Sequence, residues 1–153
     1  MAQIEIRESA DMVGSSEQAY LILADYRHGH PSILPGRYFT HLTVVEGGRG
    51  EGTVIRFGLK LGGRIQEATA DVTEPVPGRT LVERVRDDRG TETTFTVEPA
   101  GPNRTRVTIH TRWTARGPLG WVERLVAPRL LRPVYRQELA NLGQALVSTP
   151  SRR

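Results

Sequence analysis

Glu83 has the clearest potential for chemistry in this sequence, standing in the run Leu81-Val82-Glu83-Arg84-Val85. At a period of two, one register buries Leu81, Glu83 and Val85 together, while the other buries Val82 and leaves Glu83 in water beside an arginine. A carboxylate buried without a partner is costly or takes up a proton. The first register would therefore make Glu83 a general acid or base, and the second a surface ion pair. Three hydroxyls, those of Tyr26, Tyr38 and Thr111, could orient a ligand, although Tyr26 reads better as a core residue with its tip at the surface. Of the four histidines, His28 and His30 precede Pro31 in a segment that reads as an exposed loop rather than a cavity entrance. His41 falls on a strand, and His110 has the parity opposite to Ile109 and Trp113. None of them has the spacing of a zinc site and the chain has no cysteine, so neither a metal nor a cofactor is expected. There is no Gly-x-Gly-x-x-Gly, P-loop or Gly-x-Ser-x-Gly, which leaves nucleotide-dependent and serine-hydrolase chemistry unsupported.

The elements that would position these groups follow from periodicity. Gln3 to Ser9 alternates as a strand. Ser15 and Gln18 have capping-box spacing ahead of Ala19, Ile22, Leu23 and Tyr26, which share a helical face. Arg27-His28-Gly29-His30-Pro31 should end that helix, with one further turn over Ser32 to Leu34. Strands then follow over Tyr38 to Glu46, Gly52 to Leu61, Arg64 to Glu74, Arg79 to Asp87, Thr91 to Glu98 and Thr105 to Thr114, all joined by short turns; Gly62-Gly63 is a hairpin signal. Gly117 to Val147 reads as one long helix, with Tyr135, Leu139, Leu142 and Leu146 on a single stripe and a bend or break expected at Pro128 and Pro133. Such an order implies an α+β fold in which an antiparallel sheet curls around the last helix and leaves an apolar cavity between them.

Composition narrows the partners. One domain is expected over residues 1–147, followed by a disordered tail over 148–153. The net charge is +4, yet all of the 21 basic residues except Lys60 are arginines, scattered among acids and without an aromatic platform, so nucleic acid is not an expected partner. Arg124, Arg129, Arg132 and Arg136 read as the solvated flank of the long helix rather than an anion site. Glu5, Arg7 and Glu8 interrupt any leader-like apolar run, and no stretch approaches the length of a membrane span. A cytoplasmic chain without integral membrane association is therefore expected, and a homodimer stays open.

The segments DYRHGHPSILPGRYF (Asp25 to Phe39), GTVIRF (Gly52 to Phe57), VTEPVPGRTL (Val72 to Leu81), TTFTVEPAG (Thr93 to Gly101) and RPVYRQELANL (Arg132 to Leu142), in this order of elements, resemble the SRPBCC superfamily. Within it the chain is similar to the START-like, polyketide cyclase/dehydrase-type proteins. The resemblance implies a helix-grip fold with six to seven strands and a cavity for a small apolar or amphipathic molecule. Strand and helix parity supplies the expected lining: Phe57, Leu59, Gln66, Phe95, Thr111, Trp113, Tyr135 and Leu139, with Tyr26 and Tyr38 as polar contacts. Three functions fit this reading. The chain binds a polyketide- or lipid-like ligand, or it cyclises or dehydrates one with Glu83 and a tyrosine hydroxyl, or it is an interaction module whose interior is filled by its own side chains.

Overall fold

The period-two alternation becomes seven antiparallel strands in the computed structural model, which describes residues 2–148. They are β1 (Ala2–Val13), β2 (Phe39–Glu46), β3 (Val54–Leu61), β4 (Arg64–Val76), β5 (Thr80–Val85), β6 (Glu92–Pro99) and β7 (Arg104–Ala115). Short turns make sequence neighbours pair from β2 to β7, and β1 adds to the far side of β7, giving the order β1-β7-β6-β5-β4-β3-β2. Register shifts in β2 and between Thr73 and Val76 of β4 insert extra residues on one strand, which bends it and helps the sheet curl.

Three helices occupy the concave side. α1 (Ser16–Ala24) starts where Ser15 Oγ accepts the Gln18 backbone N–H at 3.1 Å, satisfying one of the orphan donors of the first turn. The segment expected to close α1 instead opens α2 (Gly29–Ile33). α1 has already ended at Asp25, and Pro31 lies in the first turn of α2, where its missing N–H has no intrahelical partner to lose. Glycine is needed at position 29 because a Cβ there would stand 2.5 Å from the Ile22 carbonyl oxygen. That close approach holds α2, and with it His30, against α1.

α3 (Gly120–Ser148) runs unbroken through Pro128 and Pro133, so the expected break does not occur. The carbonyls left without donors belong to Arg124 and Arg129, both exposed residues, where water can replace the lost hydrogen bonds. Ser148 still belongs to the helix; the rest of the tail expected to be disordered lies outside the described residues. Tyr135, Leu139, Leu142 and Leu146 are all buried, together with Leu131 and Val134. Gly14, at φ +139°, lets the β1–α1 connection pass over the Leu146 side chain, 3.2 Å from where a Cβ would be.

α3 packs chiefly on β1 and less on β7. It therefore seals one flank of the curved sheet and stands off from β3, β4 and β5.

Candidate functional site

The space left between α3 and those strands is a cavity of about 990 Å³. Phe57, Leu59, Gln66, Glu83, Phe95, Thr111, Trp113 and Tyr135 line it, together with Leu42, Ile55, Ala68 and Val134. Three residues expected in the lining are not part of it. Tyr26 is buried behind the wall. Tyr38 is half-buried with the Arg37 guanidinium 5.4 Å above its ring, and Phe39 takes its place at the wall. Leu139 is core, 3% exposed. A hollow of this size also removes the reading of an interaction module with a solid interior.

β5 takes the register that turns Leu81, Glu83 and Val85 inward; Glu83 pairs across the sheet with Val72 and Thr93 and is buried. The Tyr26 hydroxyl donates to Glu83 Oε2 at 2.7 Å, so the tyrosine tip is inside the protein rather than at its surface. Burial, reinforced by Glu83, pushes the Tyr26 phenol well above its ordinary range and keeps its proton in place.

Two further groups complete the buried end of the cavity. His30 is 2% exposed, stacked on Tyr26 at 4.6 Å between ring centroids and edge-on to Phe95 at 5.3 Å. Its Nδ1 lies 2.8 Å from the Leu23 carbonyl oxygen. Since a carbonyl only accepts, Nδ1 carries the hydrogen and Nε2 is the atom turned toward the carboxyls. Nε2 is 3.6 Å from Glu83 Oε2 and 3.7 Å from Oε1 of Glu138, a residue of α3. Glu138 is 3% exposed, and its Oε1 has no hydrogen-bond partner. Burial first, and then the neighbouring Glu83, hold the Glu138 carboxyl well above the usual carboxylate range. The arrangement joins a protonated acid, an imidazole and a carboxylate at one wall, a set able to give and take protons or to hold a polar head group.

A second polar line crosses the same cavity. Thr93 Oγ1 and Thr111 Oγ1 are 2.8 Å apart, and Thr111 Oγ1 lies 2.6 Å from the Tyr135 hydroxyl. Burial raises the Tyr135 phenol as well. At the mouth, Glu123 Oε1 of α3 accepts both the Trp113 indole N–H at 2.9 Å and an Arg89 guanidinium N–H at 2.8 Å. These bonds tie the N-terminal part of α3 to β7 and to the β5–β6 turn. On the outer side of α3, Arg132 and Arg136 reach Glu8 of β1 at 3.5 and 3.0 Å, so two of the four helix arginines are engaged within the chain. His41 bonds Glu67 at 2.7 Å, and His110 lies 3.6 Å from Glu5; neither lines the cavity. Among the described residues no group of three or more His, Cys, Asp or Glu is placed to hold a metal ion, and no helix is long and apolar enough to cross a membrane.

Residues 3–147 match the family described as polyketide cyclase / dehydrase and lipid transport. The chain belongs to this family. Its fold is that of the START-like, SRPBCC proteins. The solution structure of the KanY protein is 28% identical, with a TM-score of 0.83 over 97% of this chain and 100% of that one. A START superfamily protein from Mycobacterium smegmatis is 14% identical, with a TM-score of 0.72 over 94% and 97%. The Zhui aromatase/cyclase from Streptomyces sp. R1128 is 16% identical, with a TM-score of 0.69 over 95% and 92%. No curated protein matches the chain.

For this family member, sequence reasoning placed His30 in an exposed loop, whereas it is buried at the cavity wall, and it missed Glu138. His30 was hidden by loop-forming neighbours, Gly29 and Pro31, which here begin a helix. Glu138 carried a usable signal: it follows Tyr135 by three residues and precedes Leu142 by four, placing a charge on the apolar stripe of α3.

Proposed function

We propose that this protein binds a small hydrophobic or amphipathic molecule, polyketide- or lipid-like, in the cavity between the curved sheet and α3. The observation that carries this reading is a hollow of about 990 Å³ with apolar walls and a few buried polar groups, the usual form of a small-molecule site. Membership of a family described by cyclisation, dehydration and lipid transport supports the same class of ligand.

The test is to fill the hollow. Ala68 lies on β4 opposite Phe57 and lines the cavity, so Ala68→Trp places an indole within it. The wild-type protein should bind Nile red and melt at a higher temperature with the dye present; a ligand at a hundred times its Kd adds about 2.7 kcal/mol. Ala68→Trp should lose both effects while still unfolding cooperatively. Equal dye binding by the two proteins would place the ligand elsewhere, and no binding by the wild type would remove the reading.

A catalytic reading is favoured by one specific observation, the meeting of Glu83, His30 and Glu138 at the buried wall. In a dehydration, His30 or Glu83 would take the proton from the carbon beside a carbonyl. Glu138 would give its proton to the departing hydroxyl, leaving a carbon–carbon double bond and water. A β-hydroxyketone probe should then lose water in the presence of the protein, about a hundredfold more slowly with Glu83→Gln. An unchanged rate in a variant that keeps its melting temperature would exclude this role for Glu83.

A further inference from the structure

The buried end of the cavity is rich in acceptors and short of donors. Apart from the proton that Glu138 holds, two donors are present and both are spent: the Tyr26 hydroxyl on Glu83 Oε2, and the His30 Nδ1–H on the Leu23 carbonyl. What faces inward is Nε2 of His30, the Glu83 carboxylate and Glu138 Oε1, which has no hydrogen-bond partner at all. The arginines that line the cavity, Arg56, Arg64, Arg86 and Arg89, are all exposed. Among the described residues none of the buried groups is a lysine or arginine.

We propose that the ligand carries a protonated amine, seated among Glu138 Oε1, His30 Nε2 and the Glu83 carboxylate, with its apolar part along Phe57, Leu59 and Phe95. This deepens the binding reading and rests on it. His30 Nε2 stands 3.6 and 3.7 Å from the two carboxyl oxygens. Each of these gaps is short enough for one ligand nitrogen to stand about 2.8 Å from both of its ends, the length of a charge-assisted hydrogen bond. An ammonium group has three N–H donors for three acceptors. A hydroxyl offers one donor and brings further lone pairs, and a ligand carboxylate meets the Glu83 carboxylate with no buried lysine or arginine to receive it. Burying an ammonium is costly unless it is both paired and hydrogen-bonded; the Glu83 carboxylate supplies the pairing, joined by Glu138 when the arriving ammonium displaces its proton, and the imidazole completes the hydrogen bonds.

Three probes with one naphthyl body separate the head groups: 2-(1-naphthyl)ethylamine, 2-(1-naphthyl)ethanol and 1-naphthaleneacetate, titrated into the wild-type protein by calorimetry at neutral pH. The amine should bind at least tenfold more tightly than the alcohol, and the acetate most weakly. Glu138→Gln should bring the amine to within threefold of the alcohol and leave the alcohol's affinity unchanged. Binding of the alcohol as tight as that of the amine overturns the amine site and leaves the cavity reading standing. Failure of all three to bind overturns both. Should Glu138→Gln not fold, the wild-type ranking alone decides the matter, and a preference that survives in a folded Glu138→Gln protein places the amine away from this wall.

Discussion

Leu142→Ala is expected to lower the stability of the protein by about 3 kcal/mol, within the range of roughly 2–5 kcal/mol for truncating a buried leucine. Leu142 is 1% exposed and lies in the stripe with Leu139 and Leu146 on the part of α3 that closes against the sheet. The neighbours there are held by the β1–β7 ladder, which runs the full length of both strands, so they cannot collapse into the space the side chain leaves. Leu130, on the same helix but 40% exposed at the cavity wall, provides the comparison; Leu130→Ala should change stability by no more than about 0.5 kcal/mol. Urea unfolding decides it. The midpoint of Leu142→Ala should fall with an unchanged denaturant slope, and a loss below about 1 kcal/mol would mean that the C-terminal half of α3 is not packed as described.

The contrast between these two leucines shows what the sequence made legible. Period-two alternation between glycine-rich turns specified the strands and their antiparallel order, because a strand with one buried face has few ways to hide its apolar residues. The apolar stripe of α3 specified the buried face of its second half for the same reason. Local rules failed where tertiary contacts outweighed them. Two prolines that would break an isolated helix sit unbroken in α3, since the carbonyls they free are on exposed residues. Gly29 and Pro31 looked like the end of α1, whereas they start α2, because the decisive fact is the contact of Gly29 with the Ile22 carbonyl, seven residues earlier. The parity of β5 left Glu83 undecided between burial and solvent; its partner Tyr26, far away in sequence, accompanies the buried choice. Periodicity describes one element at a time, and the polar cluster draws His30, Glu83 and Glu138 from three.

Glu138 is where stability and the proposed site oppose each other. A carboxyl buried without a hydrogen-bond partner works against folding, so Glu138→Met, similar in length and without charge, is expected to stabilise the protein by about 1–3 kcal/mol near neutral pH, as replacing buried ionisable groups by apolar ones often does. The sign of the pH dependence follows from the direction of the shift. Burial, then Glu83, raise this carboxyl above its ordinary value of 4.5. Relative to the unfolded chain, the folded protein therefore favours the protonated acid. That preference is fully present below 4.5 and is lost as pH rises through the folded-state value. The advantage of Glu138→Met should accordingly be smallest in acid and widen toward neutrality, read as the difference between urea midpoints at pH 4 and pH 8. The same variant should bind the naphthyl alcohol and lose the preference for the naphthyl amine. A stabilised protein that has lost its head-group selectivity is what a residue kept for binding, at a cost to folding, would leave behind. A Glu138→Met protein that is less stable at every pH would instead mean that Glu138 is held by partners in the fold and is not the open acceptor on which the amine site depends.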